Sequence, residues 1–343
     1  MVKVSAPGKV HLIGEHAVVY GEPAIITAIG KRSFAEIEKR DDDIIKVDDK
    51  AVDENLEFSV KEALETAEML DSLWKQGSEK KNFSECHGFF VDNFIKAVVG
   101  KSMQMLGVKN GFYMKLDCKV PLGAGLGSSA SVAVAVSKAI AETFGIDLPK
   151  ERNNEIAYEL EKYAHGAPSG GDNSTCCFGG LVWFKKNLEG DPPTIQSLRE
   201  EIPYKLENFV LVYTKKPELS TGQLVQKVMN LDPSFRDPIV KAIGKDTLEM
   251  KEVLKKKDFE RMKELINRTQ SNLAKLGVSV LEIDKIHEAV KAIGGAAKGC
   301  GALGGGIVLC YHEDKENLIQ TINDLGFDHW ETDLAVEGVK IED

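Results

Sequence analysis

The apolar positions along this chain follow two different periods, which predicts a mixture of strands and helices. Alternation over 111–120 puts Phe112, Met114 and Leu116 on one face of a strand. A run rich in Ala and Val over 129–144 predicts a buried helix that ends at Gly145. Further strands are predicted at 2–6, 10–14, 24–29, 33–37, 181–184, 209–213 and 307–311. Further helices are predicted at 61–74, 89–105, 154–165, 220–229, 238–254, 258–275 and 315–325.

The stretches between these segments favour loops and a division into two lobes. Gly, Pro and Ser are concentrated over 166–180, which predicts a loop. Two prolines that follow residue 191 indicate a domain boundary. We therefore expect an N-terminal domain over 1–190 and a C-terminal domain over 191–343. The mixed pattern predicts the α+β fold class.

Composition narrows the class of protein. The chain has 343 residues and a formal net charge of −10, so it lacks the broad basic surface that a nucleic-acid backbone requires. Its six cysteines form no CxxC and no zinc-finger spacing, which favours free thiols in a reducing cytosol. The N-terminus lacks the apolar core of a signal peptide, and no stretch approaches the ~20 apolar residues of a membrane helix. We expect a soluble cytoplasmic protein without nucleic-acid or membrane partners.

The most informative segment is a glycine loop at 121–130, between a predicted strand and a predicted helix. Glycines allow positive φ angles and let the backbone approach a large anion. The free amides and the dipole at the start of the helix favour negative charge, and Ser128 and Ser129 are suited to cap that helix or to ligate a metal. The loop is neither a Walker A motif nor a Rossmann fingerprint. It predicts a phosphate site, with a structural turn as the alternative.

Two other segments contain charged residues beside glycines. The first holds Lys9, Glu15 and His16 within an apolar run, but an exposed lysine and a hydrogen-bonded core histidine are the plain alternatives. In the second, Glu161 lies near a predicted helix C-terminus, where an anion is disfavoured unless a cation faces it. Asp172 follows a Pro- and Gly-containing loop that could fix its conformation, and an ordinary turn residue is the alternative.

Taken in this order, the three segments resemble the GHMP family of small-molecule kinases, and within it the branch that phosphorylates mevalonate. The resemblance is carried by Ala6-Pro7-Gly8-Lys9, by the segments Gly14 to Gly21 and Pro121 to Ala130, and by His165 to Asn173. It is clear over 2–30 and 111–184, weak over 38–109 and moderate in the C-terminal half. It implies a two-lobed fold, with an N-terminal lobe similar to ribosomal protein S5 domain 2 and a C-terminal α+β lobe around a cleft.

The resemblance also implies an activity, which is the ATP-dependent phosphorylation of the 5-hydroxyl of mevalonate. The product would be 5-phosphomevalonate, on the route to isoprenoids, and Mg²⁺ would be the cofactor. Asp172 would be the catalytic base, and Lys9 would stabilise the transferring phosphoryl group. Glu161 would hold Mg²⁺ together with Ser128 or Ser129.

The resemblance assigns binding roles to further residues. The ATP phosphates would lie against Pro121, Gly123, Ala124, Gly125, Leu126, Gly127, Ser128 and Ser129. Glu15, His16 and Thr221 would contact mevalonate, with His16 facing its carboxylate. His11 shows no partner pattern and is expected to be a surface or structural residue. Homodimers occur in the family, so a homodimer is a further expectation, although the sequence shows no interface by itself.

The third family motif departs from the usual pattern. The family has a Ser or Thr ahead of a glycine run, whereas this chain has Cys300 in place of the hydroxyl and Leu303 in place of a glycine. Because leucine tolerates positive φ poorly, the loop backbone or its contact with the nucleotide is expected to differ. The alternatives are another GHMP kinase, acting on phosphomevalonate, a sugar or an amino alcohol, and an inactive nucleotide-binding relative.

Overall fold

The computed structural model describes residues 1–188 and 191–343, and in these ranges it combines a mixed sheet with eleven α-helices. The strands are β1 (Val2–Ile13), β2 (Pro23–Lys39), β3 (Ile44–Asp49), β4 (Glu54–Ser59), β5 (Phe112–Cys118), β6 (Leu181–Lys185), β7 (Thr194–Ser197), β8 (Leu206–Tyr213), β9 (Ala296–Gly299), β10 (Ile307–Tyr311), β11 (His329–Leu334) and β12 (Lys340–Ile341). The helices are α1 (Val60–Lys80), α2 (Ser84–Asp92), α3 (Phe94–Leu106), α4 (Ser128–Thr143), α5 (Lys150–His165), α6 (Gly171–Phe178), α7 (Thr221–Met229), α8 (Pro233–Lys255), α9 (Phe259–Lys275), α10 (Leu281–Ala292) and α11 (Lys315–Asp324). A short 3₁₀ helix spans Ala17–Tyr20. The predicted α+β class is confirmed.

The predicted domain boundary between 190 and 191 falls on a position outside the described residues, so it stays a prediction. Within the described ranges, none of the helices has the length and apolar character needed to cross a bilayer.

Strand β2 is the centre of the sheet and connects its two halves. The main path runs β4-β3-β5-β2-β11-β8-β10-β9, and β2 also pairs with β1 and β6. The pairs that β2 makes are antiparallel, whereas β3 and β5 are parallel. On the C-terminal side, β11 meets β2 at the pair Leu334–Ile29. The two lobes are therefore joined along one strand, and the cleft forms beside that junction.

Strand β1 is irregular where it approaches the cleft. Its register with β2 shifts between Pro7 and Lys9, so that Pro7 lies opposite Arg32 and Lys9 opposite Ala28. Proline donates no ladder hydrogen bond, and a bulge of this kind changes the direction of the next side chains. The backbone N–H of Lys9 instead donates to the carbonyl oxygen of Leu126, at 2.8 Å. The first strand is thereby fixed to the glycine loop.

Helix α4 begins at the glycine loop and is buried along most of its length. It packs against β1 and β2 on one side and against α3, α5 and α6 on the others. Its apolar residues, such as Val134 and Ile140, are fully buried in the N-terminal core with Phe112 of β5. Since the helix has so little freedom to move, the loop that precedes it has a fixed end.

Four local predictions are wrong. The strands predicted at 2–6 and 10–14 form one strand, β1, and those predicted at 24–29 and 33–37 form one strand, β2. The predicted loop over 166–180 contains α6, where Thr175, Cys176 and Cys177 are fully buried, so tertiary packing outweighs their weak helix propensity. The predicted helix over 89–105 is divided into α2 and α3 at Asn93. The side-chain amide of Asn93 donates to the backbone carbonyl of Phe89, a local bond that competes with helix continuation.

Several short or charged elements were not predicted. Strands β3 and β4 lie in the charge-rich segment where the sequence indicated only a turn and a helix, because exposed charges hide their alternation. Helix α10 and the short strands β7, β9, β11 and β12 were also missed. Strand β9 matters most for the site, since it leads into the third glycine loop.

The contact between α1 and α3 gives a first test of the fold. A Cβ on Gly100 of α3 would lie 1.9 Å from the carbonyl oxygen of Ala63 in α1. Gly100→Ala is therefore expected to destabilise the protein by about 1–3 kcal/mol, the usual effect of overpacking, despite alanine's better helix propensity. The free energy of unfolding from urea titration measures the change.

Gly88→Ala on α2 is the matched control, because Gly88 is exposed and its added Cβ meets nothing within 4 Å. This variant is expected to gain up to about 1 kcal/mol from helix propensity alone. Equal effects of the two substitutions would contradict the close approach of α1 and α3.

Candidate active site

A cleft of ≈ 680 Å³ is lined by residues of both lobes. The predicted site residues in its lining are Lys9, Glu15, His16, Gly123, Ala124, Gly125, Leu126, Gly127, Ser128, Ser129, Glu161, Asp172 and Thr221. Pro121 is not in the lining and lies just before the glycine loop. Thr221 is the first residue of α7 and is exposed. The fold thus brings the three predicted segments to one place.

Lys9 and Asp172 form an ion pair in the cleft, with 2.9 Å between Nζ and Oδ2. The Lys9 side chain is 10% exposed and that of Asp172 is 30% exposed, so the carboxylate is the more accessible partner. Burial opposes both charges, but their attraction outweighs it, which raises the pKa of Lys9 and lowers the pKa of Asp172. Asp172 also lies in the first turn of α6, where the helix dipole favours an anion. Both groups are therefore charged at neutral pH.

Close packing fixes the direction of the Lys9 side chain. A Cβ on Gly127, which has a φ of 72°, would lie 2.9 Å from Cγ of Lys9. A Cβ on Gly8 would lie 2.7 Å from the carbonyl oxygen of Leu126. Glycine is needed at both positions because β1 and the glycine loop approach each other closely. The aliphatic part of Lys9 lies against this contact, and its ammonium group reaches Asp172.

The glycine loop leaves open space on its cleft side. Gly123 and Gly125 have positive φ angles of 70° and 75°, and a Cβ on either would meet nothing within 4 Å. Leu126 is buried and anchors the loop in the core. Helix α4 starts at Ser128, and the first amides of a helix have no partner within it. The predicted strand–loop–helix arrangement is confirmed, and its geometry suits an anion at the helix N-terminus.

Glu161, on α5, is the second carboxylate in the cleft. It is buried, and its Oε1 accepts a hydrogen bond from Oγ of Ser129 at 3.2 Å, while Oε2 lies 3.5 Å from Nε2 of His165. Burial, and after it the charge of Asp172, raise the pKa of Glu161 to about 7. A carboxylate beside a hydroxyl provides the hard oxygen donors that Mg²⁺ prefers.

A metal ion there would need ligands from outside the protein. In the residues that the structure describes, no group of three or more His, Cys, Asp or Glu side chains is arranged to hold a metal. Mg²⁺ commonly takes one or two protein ligands and fills its other positions with water and phosphate oxygens. The pair of Glu161 and Ser129 fits that requirement.

Glu15 and His16 form a turn after β1, in which His16 has a φ of 59°. Oε1 of Glu15 accepts a hydrogen bond from Lys298 on β9, while its Oε2 is buried without a partner among the described residues. Nε2 of His16 lies 3.2 Å from the carbonyl oxygen of Ala302. Burial lowers the pKa of His16, so the ring is neutral at pH 7. Both side chains therefore reach the C-terminal lobe.

The third glycine loop, residues 299–306, keeps a left-handed backbone at its leucine. Leu303 has a φ of 69°, and its side chain is buried in the C-terminal core beside Gly299. A left-handed leucine costs about 1–2 kcal/mol, and burying a leucine side chain contributes about 1.5–3 kcal/mol. Burial thus offsets the strain that the sequence led us to expect. Burial also raises the pKa of Cys300 to about 11, so the thiol that replaces the family's hydroxyl is protonated.

Two residues of the cleft region were not predicted. His11 lines the cleft, two positions after Lys9 on β1, and burial followed by the charge of Lys9 lowers its pKa to about 3. The sequence could have predicted that His11 lies beside Lys9, because residues two apart in a strand share one face. Lys298 is fully buried and binds Glu15. Its only signal was a lysine directly ahead of a glycine run.

Comparison with known proteins identifies the family of this fold and site. Family models described as GHMP kinases N terminal domain and GHMP kinases C terminal match residues 93–180 and 250–328. The mevalonate kinase of Pyrococcus furiosus is 30% identical, across 100% of this chain and 98% of the relative. That of Thermococcus sibiricus is also 30% identical, with the same coverage. The crystal structure of Methanococcus jannaschii mevalonate kinase gives a TM-score of 0.80 at 27% identity over 98% of both chains.

The contact between Gly127 and Lys9 gives a second test. Gly127→Ala is expected to destabilise the protein through left-handed strain of about 1–2 kcal/mol and through displacement of Lys9, which adds about 1–3 kcal/mol of overpacking. Urea unfolding at pH 7 measures the loss.

Gly145→Ala is the matched control, because Gly145 has a φ of 70° and an added Cβ there would meet nothing within 4 Å. It is expected to show the strain alone. The same loss in both variants would mean that Gly127 does not hold the lysine side chain.

Proposed function

This chain belongs to the GHMP family of small-molecule kinases, and we propose that it transfers the γ-phosphoryl group of ATP to the 5-hydroxyl of mevalonate. The observation that carries the proposal is the Lys9–Asp172 ion pair in a cleft shared with the glycine loop. The relatives named mevalonate kinase, which match over their length and over this chain's length, support mevalonate as the acceptor. The product is 5-phosphomevalonate.

The glycine loop and the start of α4 bind the phosphates of ATP. The open space beside Gly123 and Gly125 leaves their amides accessible, and the unpaired amides at the helix start add donors and a favourable dipole. Mg²⁺ would be held by Glu161 together with Ser129, which is better supported than Ser128 because its hydroxyl contacts Glu161. When bound there, the ion supplies positive charge against the phosphate oxygens.

Asp172 accepts a hydrogen bond from the acceptor hydroxyl and orients its oxygen for in-line attack. Because Lys9 holds the pKa of Asp172 below its ordinary value, the carboxylate is ionised and its lone pairs are available. A carboxylate of low pKa is a weak base, so it takes the proton as the new O–P bond forms. Phosphoryl transfer places most of its demand on positioning and charge stabilisation, which this pair provides.

Lys9 interacts both with the catalytic base and with the transferring phosphoryl group. Its ammonium group contacts Asp172 and neutralises the negative charge that collects on the transferring phosphoryl group. Its position is fixed by the packing of Gly127, so little reorganisation is needed as the charge develops.

The acceptor lies on the side of Glu15, His16 and Thr221. Glu15 lines the cleft, where its carboxylate would help to recognise mevalonate. His16 is neutral, and its single N–H, at Nε2, donates to the carbonyl oxygen of Ala302. To recognise the substrate carboxylate, the ring would exchange this hydrogen bond for one to the substrate. The two-domain division near residue 190, a homodimer and a cytoplasmic location also remain proposals.

An activity assay tests this proposal. The wild-type protein, with ATP and Mg²⁺, is expected to phosphorylate mevalonate in a coupled assay of ADP release. Asp172→Ala is expected to lose more than about 10³-fold in kcat, since general base catalysis contributes about 10²–10⁴-fold and orientation is lost as well. Asp172→Asn keeps the shape and is expected to lose a similar amount, because an amide accepts no proton.

Asp42→Asn is the control for a lost surface carboxylate, since Asp42 pairs with Arg40 on the exposed surface; its kcat should not change. Substantial turnover of phosphomevalonate, a sugar or an amino alcohol, with none of mevalonate, would reject the proposed acceptor. Near-normal kcat in Asp172→Ala would remove the aspartate from its role.

The metal role of Glu161 is tested separately. Glu161→Gln is expected to raise the Mg²⁺ concentration at half-maximal rate by about tenfold or more, since losing a charged ligand removes on the order of 1.5–3 kcal/mol. Rates are measured over a Mg²⁺ titration at saturating ATP. Glu159→Gln is the control on the same helix, where Glu159 pairs with Lys162. An unchanged Mg²⁺ requirement in Glu161→Gln would argue against metal ligation.

A further inference from the structure

A buried lysine outside the predicted site connects the two walls of the cleft. Lys298 lies on β9 in the C-terminal lobe and is fully buried. Its Nζ donates to the Glu15 carboxylate and to two carbonyl oxygens, those of His11 at 3.2 Å and of Gly299 at 3.1 Å. Glu15 and His11 belong to β1 and the turn that follows it. One ammonium group therefore joins the first strand of the chain to the third glycine loop.

A second hydrogen bond joins the same two segments. Nε2 of His16, next to Glu15, contacts the carbonyl oxygen of Ala302 within the third glycine loop. The residues on each side of this contact are strained, since His16 has a φ of 59° and Leu303 a φ of 69°. Non-glycine residues persist in this region only when the surroundings determine their conformation. We call Glu15, His16, Lys298 and Ala302 the interlobe clasp.

Strand β9 is held firmly enough to make the clasp stiff. It pairs with β10 on one side, where Lys298 lies opposite Leu309. On its other side, Gln270 of α9 accepts a hydrogen bond from the backbone N–H of Gly299, and Asn267 accepts one from Ala297. Because both edges of β9 are bonded, the Lys298 side chain starts from a fixed backbone, and movement of Glu15 is resisted.

A buried ion pair is a poor way to gain stability, which points to another role for Lys298. Desolvation of two charges often exceeds their attraction, and apolar residues of similar volume commonly stabilise as well or better. Lys298 has no exposed surface, so it cannot touch a substrate in the cleft. It acts through the groups that its ammonium contacts, which are the Glu15 carboxylate, the His11 carbonyl oxygen and the start of the third glycine loop.

We infer that Lys298 is a positioning residue that fixes the third glycine loop and the Glu15–His16 turn relative to each other, and thereby sets the shape of the acceptor side of the cleft. The inference rests on the proposed function for its kinetic consequence, but its structural consequence does not. If Lys298 is lost, burial raises the pKa of Glu15 further and the carboxyl takes up a proton, so the turn and the loop lose their shared anchor.

The test uses the full-length protein with Lys298→Met, which keeps the length of the side chain and removes its charge. Amide hydrogen exchange over residues 299–306, measured without ligands, is expected to accelerate by about tenfold or more, the change for one lost charge-assisted hydrogen bond. The KM for mevalonate is expected to rise by a similar factor, because Glu15 and His16 lie on the proposed acceptor side. Both are measured below each variant's unfolding temperature.

Two further variants separate positioning from loss of stability. Lys101→Met removes another buried lysine, which pairs with Asp71 away from the cleft lining; it is expected to lower the Tm without changing exchange in 299–306 or the KM for mevalonate. Glu15→Gln with Lys298→Met replaces the carboxyl by an amide that cannot ionise. Its stability is expected to exceed that of Lys298→Met as the pH rises, and exchange in the loop is still expected to be fast.

The results distinguish the inference from the proposed function. Wild-type exchange over 299–306 in both Lys298 variants would overturn the inference, as would a wild-type KM for mevalonate in the folded Lys298→Met protein. If the wild-type protein does not use mevalonate, the proposed function fails, and the exchange measurements still decide whether Lys298 holds the loop.

Discussion

The ion pair of Lys9 and Asp172 is the interaction around which the cleft is arranged. It requires three elements to meet, since Lys9 comes from β1, its packing partner Gly127 from the glycine loop, and Asp172 from α6. Neither charge is fully solvated, so each depends on the other to stay ionised. The pair has little value for stability by itself, and the close packing around it instead serves to keep an anion and a cation at a fixed separation.

This pair also limits the chemistry that Asp172 can perform. A general base is most effective when its pKa lies near the operating pH, and Lys9 moves Asp172 away from that condition. The arrangement suits a reaction in which the hydroxyl proton leaves late and the main requirements are alignment and charge stabilisation. Glu161 has the opposite environment, because burial raises its pKa and, within 1–188 and 191–343, no Lys or Arg side chain forms an ion pair with it. The protein thus supplies Asp172 with a cation, Lys9, whereas Glu161 is suited to a cation that binds from solution.

The sequence predicted the parts of the site that depend on local pattern. The helix at α4 follows from a run of Ala and Val that ends at a glycine, and the loop before it follows from its closely spaced glycines. Asp172 was predicted to be a site residue, but its helix was not, because small residues form α6 only when packed in the core. The bond between Lys298 and Glu15 joins positions 283 apart, and no local pattern encodes such a contact.

The two glycine loops of the cleft are held by different physical means, and both depend on β1. The phosphate loop is held by direct backbone contact, because Gly8 and Gly127 allow β1 to approach it closely. The third loop has a bulky residue, Leu303, at a left-handed position. This loop is held by the Leu303 side chain, which is buried in the C-terminal core, and by the hydrogen bond from His16 in the turn after β1. Since one strand touches both loops, a displacement of β1 would move the phosphate side and the acceptor side together. The contacts of β1 with both loops, beside the junction of the lobes at β2 and β11, hold the separation across the cleft that in-line transfer requires.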